Sequence, residues 1–417
     1  MRKNLLVLAI LICGMALSSC TDKLKKAPNI SLNPNIKSET GFQASLNLDD
    51  SFISGTRTGE GFIYPDYYGG SYIDDNGGLI ILTTDSVESV VKDLRFRTKS
   101  SNFSIKNCEY SLNELQSLNE ELGKVFENQN IASELKWVSV GIDIVHNKVS
   151  VDLEDCSESI IVKFKSMVSN SSMIKFNEVA PIIFDSGYEK IQADSISSMT
   201  KRAVKTNVHL GSPYSSRGKD QQGDPVRFVG SVGCRAMHGT EHGFVTAAHC
   251  LPKMGLSVCI GETDTNLGKV TSVKLNASSD AAFVAVDYDK YYPTNTTYRT
   301  KTALYDKILK NSSLVGYEVS TEGQKTANVV KAKVTEINKK VHVQKWTPAG
   351  QADFYANNMV YATFTSSQTQ EGDSGGIVYV NGHVAGIHSA RLGNTTQIFS
   401  SAELVLKDLG LTNIWEK

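Results

Sequence analysis

Apolar and polar positions alternate in different ways along the chain, and each regime predicts a different kind of structure. Residues 5–17 form a mainly apolar run behind Met1-Arg2-Lys3-Asn4. A helix needs about 20 such residues to span a bilayer, so this run fits a signal peptide over residues 1–19 instead. Residues 20–59 are rich in Asn, Ser and Lys without sustained periodicity, which predicts a flexible tether. Patterning begins near residue 60. Residues 78–84 (GLIILTT) predict a strand, and Asp85 then caps a helix in which Val87, Val90, Val91 and Leu94 recur at helical spacing. Ser111 and Glu114 form a capping box ahead of a stripe of Leu112, Leu115, Leu118 and Leu122. Residues 137–145 and 148–153 predict a hairpin through His146-Asn147, with a further strand at 160–164.

Residues 196–222 shift to Ser, Lys, Gly and Gln around Lys201-Arg202, the composition of an exposed connection open to nicking. The remainder reads as short strands. Asn381-Gly382 is a two-residue hairpin signal, and residues 401–409, closed by Gly410, predict a terminal helix. The division is therefore an α/β unit at 60–195, a linker at 196–222 and a β-rich domain at 223–417.

Composition changes this picture little. The chain has 417 residues, 43 basic against 44 acidic, with 40% hydrophobic and 21% charged residues. That length suits two or three domains with cores. The near-zero charge lacks the basic excess of a dedicated nucleic-acid binder, and seven cysteines do not make a disulfide scaffold in so long a chain.

Leu17-Ser18-Ser19-Cys20 resembles the lipobox of bacterial lipoproteins. The resemblance implies acylation of Cys20 and a lipid-anchored protein of the cell envelope, outside the cytoplasm, where disulfides persist. An ordinary signal peptide that happens to contain a cysteine is the alternative.

The chemistry concentrates in three segments. Residues 243–250 (GFVTAAHC) resemble the histidine segment of chymotrypsin-like serine proteases, and residues 372–376 (GDSGG) resemble their nucleophile segment. Residues 279–284 (SDAAFV) resemble the aspartate segment. The resemblance implies two six-stranded barrels with a His249, Asp280, Ser374 triad in the cleft. It also implies a Cys234–Cys250 disulfide, and an oxidising compartment allows one between Cys108 and Cys156; Cys259 is left without a partner. The middle of the chain is similar to the pro-region of the α-lytic protease and streptogrisin branch. That likeness rests on residues 68–74 (YGGSYID) before GLIILTT, and on Trp137, Asp143, Asn147, Val149 and Val151.

A serine hydroxyl is a poor nucleophile until an imidazole takes its proton, and the imidazole needs a buried carboxylate to fix its tautomer. The glycines beside Ser374 let the Gly372 and Ser374 N–H groups converge on a developing oxyanion. Asp373 is expected to form a buried ion pair holding that loop. GDSGG also satisfies the G-x-S-x-G elbow of α/β-hydrolases, but no Asp or Glu lies between Ser374 and His383 or His388, so the chain order excludes that fold. His238 and His242 flank Glu241 without forming HExxH. No metal or cofactor is expected. For the carboxylate, Asp264, Asp287 and Asp289 are the rivals of Asp280; the apolar strand that follows Asp280 favours it.

By similarity, Gln368, Thr369, His388 and Ser389 line the primary specificity pocket. Gln368 stands where trypsin-like members carry an acid, which disfavours cleavage after Arg or Lys. His388 resembles the histidine with which glutamyl endopeptidases hold an acidic side chain, and Arg391 is placed to assist; a structural histidine is the alternative. There is no IVGG-like segment, and Gln370 replaces a cysteine common in animal members. The reading is a mostly β, membrane-anchored serine endopeptidase acting on proteins or peptides, made behind an α/β pro-region and cut between about 195 and 225. The rival is a non-catalytic surface binding protein on the same scaffold.

Overall fold

A computed structural model describes residues 30–31, 38–52, 64–185, 187–190 and 205–412. The apolar run at 5–17, Cys20 and Lys201-Arg202 lie outside the described residues. Among the described residues no helix is long and apolar enough to cross a membrane.

The first unit is a four-stranded sheet in the order Ile30–Ser31, Phe103–Asn107, Leu79–Thr83, Tyr68–Ile73. Two helices pack on it, Ser38–Ser51 and Val87–Thr98. The first falls inside the stretch read as a tether. It buries Ala44 and Leu48 and is followed by buried Phe52, too few apolar positions among too many polar ones to register as a period. The second is capped by Ser86, whose side chain accepts from Ser89 N–H, rather than by Asp85. The Ser111–Glu114 capping box opens Leu112–Phe126 with its leucine stripe buried, as the spacing predicts.

A second layer comprises Trp137–Asp143, Lys148–Leu153 and Ile174–Glu178. Asn147 adopts φ of 54° in the hairpin turn. Residues 160–164 belong to a helix, Glu158–Met167, not a strand. Five apolar-rich residues carry no period of their own, and only Phe164 is fully buried.

The remainder is mostly β. Among the described residues, one eight-stranded sheet runs Arg235–His238, Glu241–Thr246, Ala282–Val286, Asn266–Val273, Ser257–Ile260, Pro213–Lys219, Pro225–Ser231, Gly187–Lys190. Pro213–Lys219 and the separately paired Thr206–Leu210 lie within the stretch read as a linker, so the β domain starts earlier than its composition suggests. The other large sheet includes the hairpin Val330–Thr347 and Gly350–Phe364 and the strands Ile377–Val380, His383–Leu392 and Thr396–Ser401. Asn381 and Gly382, at φ of 48° and 77°, make the expected tight turn. Gly410, at φ of 64°, closes the helix Ala402–Leu409.

That second sheet does not stop at the β domain. Val330–Thr347 pairs antiparallel with Trp137–Asp143, so three strands of the preceding unit extend it. The register slips between Ile337 and Lys340, where Asn338 takes φ of 54°. There Lys339 enters the joint fully buried, its Nζ 2.5 Å from Asp152 and 2.8 Å from Glu336. Gly141 makes room for it, since a Cβ at that position would lie 2.2 Å from Lys339 Cδ. One continuous apolar cluster joins Leu48, Leu115 and Trp137 to Val319, Val334 and Phe399. Burial at about 25 cal/mol per Å² therefore binds the two parts as it would a single core.

The five described cysteines are free thiols, so neither expected disulfide is present. Cys108 Sγ donates to the Tyr110 carbonyl at 3.3 Å. Cys234 and Cys250 are buried in different apolar clusters.

Candidate active site

His249 follows the strand Glu241–Thr246, and Asp280 precedes Ala282–Val286, the strand paired to it. This pairing sets the carboxylate beside the imidazole. Asp280 Oδ2 lies 2.5 Å from His249 Nδ1, and its Oδ1 accepts the His249 backbone N–H at 2.9 Å. Ser374 comes from the other large sheet's side of the molecule, its Oγ 2.9 Å from His249 Nε2. All three residues are fully buried. The rivals lie elsewhere: Asp264 pairs with Arg217 and Arg227, and Asp287 with Lys290. His238 and Glu241 are 3.6 Å apart at the surface, and His242 stacks on Tyr288.

Two other assignments change. Asp373 accepts the N–H groups of Lys325, Thr326 and Gln370 at 2.8, 3.1 and 2.9 Å and the Thr326 hydroxyl. Among the described residues, neutral donors rather than a cation hold the loop. Ser389 turns its hydroxyl onto Asp280 Oδ2. Its contribution to the cleft is its carbonyl, which accepts from Ser374 Oγ at 2.8 Å.

The cleft holds a segment of the same chain. Ile182–Phe184 lies antiparallel to the strand His383–Leu392, with Phe184 opposite Ala390. Phe184 also packs its ring 5.2 Å from that of His249. The next residue, Asp185, places its carbonyl oxygen 2.6 Å from Gly372 N and 3.2 Å from Ser374 N. Gly372, at φ of 103°, turns its N–H inward. Beyond the cleft, Gly187–Lys190 pairs with Pro225–Ser231.

The Asp185 carboxylate is fully buried. Its Oδ2 accepts from Thr369 Oγ1 at 2.7 Å and His388 Nε2 at 3.0 Å, and its Oδ1 from Arg391 Nε at 2.9 Å. Burial alone would raise this carboxyl. His388, Thr369 and Arg391 outweigh burial and hold it below the ordinary carboxylate range. Behind His388, Gln397 Nε2 lies 3.2 Å from Nδ1 and donates to Thr321 Oγ1 at 2.7 Å. Gln368 is half-buried, and among the described residues its Oε1 accepts no hydrogen bond.

Sequence reasoning placed His249, Asp280, Ser374, Thr369, His388 and Arg391, which the structure brings together. It missed Asp185, Gln397 and the true orientation of Ser389. The one available signal for Asp185 was complementarity, since a pocket with His388 and Arg391 asks for an acid.

Burial disfavours the His249 imidazolium, but the Asp280 carboxylate outweighs it and raises the imidazole above its ordinary value. When charged, Nε2–H donates to Ser374 Oγ, which donates onward to the Ser389 carbonyl. Only the neutral ring can take the hydroxyl proton. The sign follows: below the raised value each pH unit removes about nine-tenths of the competent form. Acylation of Ser374 is therefore expected to accelerate with pH, with a midpoint above the ordinary histidine value of about 6.5. Stopped time courses from about pH 5 to about pH 10 check this, and a midpoint at or below about 6.5 contradicts it.

Three family models match: a Pro-like N-terminal domain at residues 25–108, a Pro-like C-terminal domain at 113–179, and trypsin at 212–401. No curated protein matches the chain. Among solved structures, protease A of Thermobifida fusca aligns at 18% identity and a TM-score of 0.38, covering 50% of this chain and 98% of that one. A chymotrypsin of Cellulomonas bogoriensis aligns at 20% and 0.36, covering 50% and 98%. A glutamic acid specific serine protease, described as using a histidine triad in substrate binding, aligns at 22% and 0.37, covering 49% and 100%.

Proposed function

We propose, from the premise that residues 212–401 form a trypsin-type serine peptidase domain behind two pro-like domains, that this chain is the precursor of a serine endopeptidase that cuts itself. Ser374 is the nucleophile, His249 the general base and Asp280 the group that orients it. The N–H groups of Gly372 and Ser374 are the oxyanion donors. One observation carries the reading: a carbonyl of the chain itself lies on both donors, beside a serine hydroxyl already within hydrogen-bond reach of an imidazole. Donors fixed before the reaction need no reorganisation when charge develops, and one such donor contributes about 2.7–4 kcal/mol.

The lipobox-like residues before Cys20 support acylation of that cysteine and display on the outer side of a membrane, with exported or extracellular proteins as substrates. The preceding unit shares a sheet and an apolar cluster with the β domain. Both support a role as a template and an inhibitor of the peptidase.

A fluorophosphonate probe tests the chemistry. The processed protein is expected to label at Ser374, and the label is expected to disappear after prior denaturation. A processed, folded protein that stays unlabelled would favour the binding-protein reading.

A further inference from the structure

We propose that the peptide bond between Asp185 and Ser186 is the processing bond of this precursor, and that Thr369, His388 and Arg391 make the released enzyme cleave after acidic side chains. The proposal rests on the peptidase reading above and goes further, to the bond and the substrate class.

Backbone placement identifies the bond. Only one carbonyl lies on both the Gly372 and Ser374 N–H groups among the described residues, and it is that of Asp185. The Asp185 N–H points to the Ser389 carbonyl at 3.4 Å. The chain is held on either side, residues 182–184 on 390–392 and residues 187–190 on 226–229. A peptide clamped as a strand on both sides presents its central bond to the nucleophile in a fixed geometry. The expectation of a cut between 195 and 225 fits this arrangement poorly. Residues 191–204 lie outside the described residues, and strands Thr206–Leu210 and Pro213–Lys219 are already committed to β pairing.

Side-chain chemistry identifies the class. Three donors surround one carboxylate, and two of them, Thr369 and His388, are themselves buried. An asparagine there would turn its NH₂ toward at least one N–H or O–H donor. A leucine would leave all three donors unmatched, and buried unpaired polar groups are what give polar sites their discrimination. An arginine would set like charge against Arg391. The Lys201-Arg202 pair therefore does not fit this pocket.

In the reaction, Ser374 Oγ bonds to the Asp185 carbonyl carbon and its proton passes to His249 Nε2. The C–N bond to Ser186 breaks, and the leaving amine takes that proton. Water then attacks the Asp185 ester, giving up a proton to His249, and Ser374 Oγ leaves and regains it. The products are an Asp185 α-carboxylate and a new α-amine on Ser186.

The test uses the full-length chain and the enzyme it releases. Mass measurement of the first fragments is expected to give an N-terminal piece ending at Asp185. The Asp185→Asn chain is expected to process at least about 100-fold more slowly, and Asp185→Glu to stay closer to the parent. Quenched peptides spanning residues 181–190, with Asp, Glu, Asn, Leu or Arg at position 185, are expected to be cut at least about 100-fold faster with an acid. Arg391→Ala is expected to shrink the Asp-to-Asn ratio by about tenfold or more. A first cut elsewhere, or an Asn or Leu peptide cut as fast as Asp, overturns the inference while Ser374 labelling keeps the peptidase reading intact. No labelling and no cleavage of any peptide overturns both.

Discussion

The precursor carrying Ser374→Ala is expected to remain at full length, its rate of cleavage lower by about 10⁶-fold, as is usual when a triad nucleophile is removed. Alanine at position 374 removes the hydroxyl oxygen that faces His249 Nε2 at 2.9 Å. It leaves the backbone N–H on the Asp185 carbonyl, so the segment stays seated. Asp280→Asn is the more informative companion. The carboxylate accepts from His249 Nδ1, from the His249 backbone N–H and from the Ser389 hydroxyl. An amide keeps the volume but offers an N–H to one of these donors. It stabilises the wrong tautomer, and a loss of about 10⁴-fold is expected. Quantitative gel time courses of the three chains check both values. A loss of less than about tenfold in Asp280→Asn would return the role to another carboxylate.

Local rules exposed what local forces decide. The Ser111–Glu114 box, the Asn381-Gly382 turn and the Gly410 stop each depend on a few adjacent residues, and each could be read directly. The His249 and Ser374 segments were legible for a different reason, their resemblance to the histidine and nucleophile segments of a known protease family. What failed was either aperiodic or distant. Residues 160–164 are too few to separate a helix from a strand, and the helix Ser38–Ser51 hides its buried side among Asn, Ser and Asp. The seating of Asp185 depends on residues about 200 positions later, Thr369, His388 and Arg391. No window of sequence contains both partners. Ser389 was placed at the pocket wall by similarity; similarity did not say that its hydroxyl faces Asp280 while its carbonyl accepts from Asp185 N–H and Ser374 Oγ.

The joint between the two halves should be equally sensitive to one buried charge. Lys339→Met, made in the uncut Ser374→Ala chain, is expected to loosen the pairing of Trp137–Asp143 with Val330–Thr347. Lys339 Nζ stands between Asp152 on the preceding unit and Glu336 on the β domain, and it also donates to Ser150 Oγ at 2.9 Å. Methionine fills much the same volume but leaves two carboxylates facing each other at a largely buried joint. Breaking a buried pair in this way costs at most about 3–5 kcal/mol, or about 150- to 4,000-fold in the opening equilibrium. Both carboxylates border a cavity and Glu336 is partly exposed to it, so water relieves part of the repulsion and opening the joint relieves the rest. Amide hydrogen exchange along residues 139–142 and 337–341 should accelerate by up to that factor, while exchange in Glu241–Thr246 should not. Lys339→Met combined with Asp152→Asn and Glu336→Gln removes the repulsion without restoring the cation, and slow exchange is expected to return. If the single variant exchanges like its parent, the buried lysine does not hold the joint. If the triple variant exchanges as fast as the single one, lost packing rather than unpaired charge is responsible.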